Sequence, residues 1–158
     1  MKSKVAVTMM AASMAAWSVG GFAQETTYTK DIKPLFDAKC AACHGAASPY
    51  FGDFDKDSKK FAAAMKGPRM DSYADLIFFT AWPDTGALMR RLDDGKSTGG
   101  KPGNMYQFLG ATDEERQANL QTFKAWVGPE GWILKRWQAR GSVPAITKEE
   151  LDKIRVKY

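Results

Sequence analysis

Apolar residues recur at helical spacing along most of the chain, and no stretch shows the alternation of a half-buried strand. Ile32, Leu35, Phe36, Cys40 and Cys43 fall at i, i+3, i+4, i+8 and i+11, one helix face. Asp31 is the expected N-cap of that helix, because Pro34 has no N–H and suits a first turn; Gln24 to Lys30 reads as a polar lead-in. Tyr73, Leu76, Ile77, Phe78 and Phe79 predict a helix capped by Asp71 or Ser72, running to about Trp82 and stopped by Pro83. Thr85 to Leu92 predicts a short helix with Leu88 and Met89 inward and Arg90 and Arg91 outward. Thr112-Asp113-Glu114-Glu115 has the form of a capping box opening a helix through Val127. Leu120, Phe123 and Val127 are its buried stripe, Trp126 flanks it, and Gly128-Pro129 ends it.

Between these elements the chain reads as loop. Gly45 to Lys60 is small and polar; its alternating Asp53, Asp55 and Asp57 lack the glycine and terminal Glu of an EF-hand, so they read as solvated surface rather than a calcium loop. A short segment, Phe61 to Met65, leads to Gly67-Pro68-Arg69, and Asp94 to Asn104 is a Gly/Lys/Ser/Pro loop before Met105. Beyond Gly128 a tail carries Trp132, Leu134 and Trp137, then Thr147-Lys148-Glu149-Glu150, a second capping box before Leu151 and Ile154. The expectation is one all-α domain over residues 24–158, with a core over about 31–127 and a tail over 128–158.

The first residues stand apart. Met1-Lys2-Ser3-Lys4 precedes an apolar, small-residue run from Val5 to Phe22 that closes on Gly21-Phe22-Ala23, the layout of a secretory signal peptide over residues 1–23. Ser, Thr and Gly interrupt the run, and it falls short of a comfortable ~20-residue span, which favours cleavage over a membrane anchor. Without Lys2 and Lys4 the formal charge falls from +5 to +3. With no clustered basic stripe or recognition module, nucleic acid has no support as a partner, and no membrane span is expected after cleavage.

Chemistry concentrates in Cys40-Ala41-Ala42-Cys43-His44, a C-x-x-C-H run. That spacing is a c-type haem attachment signature: two thiols add to the vinyl groups and the following imidazole becomes the proximal ligand. These are the only two cysteines and the only histidine. A zinc site fails for want of a fourth Cys or His. A disulfide across so short a loop removes little unfolded-state entropy, and a thioredoxin-like dithiol wants a preceding strand. A metal-bound imidazole donates its second N–H to a carbonyl or carboxylate; Pro68 is the first candidate to supply it and Pro49 the second. Arg69 would then meet a haem propionate, and with two propionates the net charge would be about +1. One histidine excludes bis-histidine ligation within the molecule, leaving methionine, lysine, water or nothing as sixth ligand. Outside the signal stand Met65, Met70, Met89 and Met105. Met105 ranks first because it follows a glycine-rich loop and precedes the last long helix, and Met89 ranks second.

Asp31-Ile32-Lys33-Pro34-Leu35-Phe36 followed by Cys40-Ala41-Ala42-Cys43-His44-Gly45 resembles the start of a class I cytochrome c, a small periplasmic monohaem c-type cytochrome. Gly103-Asn104-Met105 ahead of Thr112 is similar to that family's distal end. The resemblance covers roughly Asp31 to Val127; an insertion before Met105 and the tail from Gly128 depart from it. It implies a helical fold around one covalent haem c, with Phe36 meeting Phe123 or Trp126. It also implies a monomeric periplasmic electron carrier with His44/Met105 ligation and transient redox partner proteins, and no enzyme activity. The alternatives are an open-distal-site haem enzyme or gas-binding protein, and a haem subunit of a larger oxidoreductase docked through Trp132 and Trp137. The tail tryptophans otherwise serve as a hydrophobic cap.

Overall fold

The computed structural model describes residues 25–97, 100–132 and 145–158, and among these every regular element is helical. The fold is all-α. A single π turn, Tyr28–Ile32, runs into α1 (Lys33–Lys39) and α2 (Ala41–His44). Then come α3 (Phe51–Lys56), α4 (Ser58–Ala63), α5 (Tyr73–Thr80) and α6 (Ala87–Leu92). A 3₁₀ turn (Tyr106–Leu109) precedes α7 (Asp113–Val127), α8 (Pro129–Trp132) and α9 (Lys148–Leu151). The expected signal peptide, Leu134 and Trp137 lie outside the described residues.

The first helix starts earlier than its sequence suggests. Thr27, not Asp31, is the N-cap: its hydroxyl accepts the Lys30 N–H, and Asp31 reaches back to accept the Thr27 N–H at 2.8 Å. Asp31 therefore works from inside the first turn. The π turn ends where Pro34, with no N–H to give, begins the α-helical ladder. Tyr28, read as polar lead-in, is buried with Ile32 and Phe36. The stretch read as loop from Gly45 to Lys60 also contains helix. Asp57 caps α4 by accepting the Lys60 N–H, and Phe54 stacks on Phe61 to pair α3 with α4. Ser72 caps α5, which stops at Thr80 rather than Trp82, and α6 begins only at Ala87 behind Gly86.

The core joins Tyr28, Ile32 and Phe36 to Leu76 and Phe79 of α5, Leu88, Met89 and Leu92 of α6, and Leu120, Phe123, Trp126 and Val127 of α7. Each such side chain removed from water stabilises the fold by about 1.5–3 kcal/mol. Trp126, expected to flank α7, is fully buried, and its ring meets Tyr28 at 6.4 Å, whereas Phe36 is buried in the same cluster. Lys39 and Glu115 form an ion pair between α1 and α7.

A C-terminal strap closes this face. Val127 O and Trp126 O accept the N–H groups of Arg155 and Val156, while Lys157 O accepts both the Tyr28 N–H and Trp126 Nε1–H, each at 2.8 Å. Tyr158 stacks on Tyr28 and meets Tyr73 edge-on, and Lys157 pairs with Glu25 at 2.5 Å.

Candidate haem-attachment site

Cys40 is the joint between α1 and α2. Its N–H bonds back to Phe36 O, and its carbonyl accepts the N–H groups of Cys43 and His44, so both thiols and the imidazole are placed by the short helix α2 and its N-cap. Both cysteines are free and half-buried. Burial, reinforced by Cys43, pushes the Cys40 thiol up to about 11. Burial likewise lowers His44 below the usual imidazole value, opposed by its bond to a backbone carbonyl.

That carbonyl belongs to Pro68, whose oxygen lies 2.8 Å from His44 Nδ1. The segment 66–70 runs beside the motif and is fastened to it: the Gly67 N–H donates to Cys43 O, the Met70 N–H to His44 O, and Lys66 Nζ to Ala42 O. Ser48, also buried, donates its hydroxyl to Cys43 O. A Cβ on Gly67 would fall within 3.0 Å of Cε1, Nδ1 and Nε2 of the His44 ring, closer than real side chains come. Only glycine lets the backbone lie flat against the imidazole. Pro49, second candidate for the His44 bond, is engaged elsewhere, accepting the Arg69 N–H.

Arg69 is placed in a fork with Asp71, Nε to Oδ1 at 2.6 Å and Nη2 to Oδ2 at 3.2 Å, while Nη1 donates to Tyr50 OH and the guanidinium lies 5.0 Å from the Tyr50 ring centroid. The Arg69 guanidinium holds the Asp71 carboxyl below its ordinary value. Any propionate reaching Arg69 would share it with Asp71.

Met105, ranked first as sixth ligand, is half-buried and ends a clamped loop. Its N–H donates to Arg91 O at 2.9 Å, the Gly103 N–H donates to Asp93 O at 2.8 Å, and a Cβ on Gly103 would drive into the Arg90 and Arg91 carbonyl oxygens. The 3₁₀ turn after Met105 is tied to α7 by Asn119 Nδ2 to Leu109 O and Gln117 Nε2 to Tyr106 OH. Met89 is buried in the core on α6, Met70 packs at its edge, and Met65 is exposed.

The residues present fit a covalent haem. Two thiols and one imidazole sit on α2 and its N-cap, the imidazole's Nδ1 is occupied by a carbonyl, and a glycine cradle leaves the ring its space. Among the described residues no cluster of His, Cys, Asp and Glu suits a separate metal ion. Sequence reading missed Gly67 as a packing residue, its only signal being a Gly directly before Pro68, and it missed Asp93, a fully buried carboxylate at the end of α6.

Residues 27–158 match the family model described as PccH cytochrome c. Among solved structures, the monoheme cytochrome PccH from Geobacter sulfurreducens is 61% identical, and the match covers 85% of this chain and 99% of that one at a TM-score of 0.73. No curated protein matches.

Proposed function

Because this chain belongs to the PccH cytochrome c family, and so carries one covalently bound c-type haem, we propose that it shuttles single electrons between periplasmic redox proteins, with His44 and Met105 as axial ligands. The bound haem supplies a reversible one-electron site whose potential is set by axial ligands, burial and hydrogen bonding. Cys40 and Cys43 tether it, and His44 is steadied through Nδ1 so that Nε2 is left free to face the iron. That 2.8 Å contact with Pro68 O is the observation that carries the reading, because it fixes both the tautomer and the ring plane. Residues 1–23 are taken as the export signal and residues 24–158 as a single monomeric domain. Among the described residues no helix is long and apolar enough to cross a membrane. Contact with partners is brief and small, as in other redox encounters.

Met105 is preferred over Met89 because Met89 is enclosed within the core, whereas Met105 lies half-buried at the end of a loop. The oxidised holoprotein is expected to show the weak far-red sulfur-to-iron band. Met105→Ala should abolish that band and let the reduced protein take up carbon monoxide, while Met89→Leu should keep it. Loss of the band in the Met89 variant alone would transfer the ligand to α6. Ready carbon monoxide binding by wild type would favour an open-site haem protein instead.

A further inference from the structure

Asp93 is the one carboxylate among the described residues with no solvent exposure, and nothing in electron carriage by itself asks for it. Its side chain is fully engaged. Oδ2 accepts the N–H groups of Gly95 at 2.9 Å and Ser97 at 3.1 Å, Oδ1 accepts Trp132 Nε1–H at 2.9 Å, and Lys124 Nζ stands 3.9 Å from Oδ1 and 5.5 Å from the Trp132 ring centroid. Its backbone is engaged as well, the N–H donating to Met89 O and the carbonyl accepting the Gly103 N–H. One residue therefore fastens the start of the loop after α6 through its side chain and the end of that loop through its main chain. Two residues earlier, Arg91 O holds the Met105 N–H.

We infer that Asp93 is a positioning residue for the distal ligand: with Trp132 and Lys124 behind it, it fixes the backbone from which the Met105 sulfur is presented. The inference rests on Met105 being that ligand. A neutral cap would satisfy a helix end at less cost, since a buried carboxylate is tolerated only when its oxygens are met by donors. Here the donors come from the loop on one side and from Trp132 of α8 on the other, with the Lys124 charge of α7 nearby. With haem bound, how firmly the Met105 sulfur is presented would thus depend on the contacts Asp93 makes with Trp132 and Lys124.

The test uses holoprotein variants Asp93→Asn and Trp132→Phe beside Met105→Ala, each checked for covalent haem by mass and for thermal stability. Asp93→Asn should keep its haem yet weaken the far-red band and raise the carbon monoxide binding rate of the reduced protein by up to about 10-fold, the low end of an outer hydrogen-bond partner's reach because Asp93 acts on Met105 only through the main chain. Trp132→Phe, which removes one N–H, should shift both readouts the same way and less. Thr147→Ala, which weakens a remote helix cap, should leave both unchanged. If Met105→Ala removes the band while Asp93→Asn and Trp132→Phe keep the wild-type band and rate, the inference is wrong and the ligand assignment survives. If Met105→Ala keeps the band, the ligand assignment itself falls and takes the inference with it. Should Asp93→Asn give no holoprotein, Trp132→Phe decides by the same two readouts.

Discussion

At the scale of single residues, the imidazole and the glycine beside it form one unit. Gly67→Ala places a methyl group against three atoms of the His44 ring, and overpacking of this kind costs about 1–3 kcal/mol. Denaturant unfolding of the holoprotein should show that loss, together with a changed Soret spectrum as the ring turns away from Pro68. Gly52, where an added Cβ meets open space in α3, is the matched comparison: Gly52→Ala should be neutral or stabilise by up to ~1 kcal/mol. Equal stability of the two variants would mean the ring is not held by the backbone. The approach of Pro68 to His44 is legible in the sequence because a metal-bound imidazole needs an acceptor for its second N–H, and the Gly-Pro-Arg turn is the candidate to supply it. Gly67 and Asp93 are not legible, since their roles exist only once segments remote in sequence are packed together.

At the scale of elements, α7 shows what a capping signal does and does not specify. Thr112 accepts the Glu115 N–H as expected, but the Glu115 carboxylate bonds the Ala111 N–H and Lys39 rather than closing the box on Thr112. Thr112→Ala should lower the unfolding free energy by about 0.5–2 kcal/mol, with Thr112→Ser recovering most of it in the same denaturant titration. No loss in either variant would show that α7 is held by its buried face alone. The long helices α5 and α7 are legible because an apolar stripe and a cap agree. The helices α3 and α4 are not: each is too short to display a period, and their pairing depends on Phe54 meeting Phe61, a contact no spacing rule announces. The start of the first helix is misplaced for a related reason, because Asp31 bonds backward to Thr27 and the π turn hides the usual register.

At the scale of the whole molecule, carboxylates tie the elements together. Hydrogen bonds from Arg69 hold Asp71 below its ordinary value, and Lys39 does the same for Glu115. Burial pushes Asp94 up, but the Lys96 N–H, Gln117 and Lys124 outweigh it and leave Asp94 lowered as well. Groups whose folded-state pKa is depressed contribute stability above their unfolded values, and that contribution is lost as pH falls through the folded ones. Thermal unfolding midpoints of the holoprotein should therefore hold steady near neutrality and drop below about pH 4. High salt should weaken the Lys39–Glu115 share first, because that pair is partly exposed. A midpoint that rose on acidification would contradict these assignments. The strap at the other end of the chain has a topological consequence: Lys157 bonded to Tyr28 and paired with Glu25 brings residue 158 beside residue 25. With residues 1–23 removed as the proposed signal, a brief linker could join the start of the remaining chain to residue 158, and a circular permutant opened at a surface turn should keep the Lys157–Tyr28 and Lys157–Glu25 contacts.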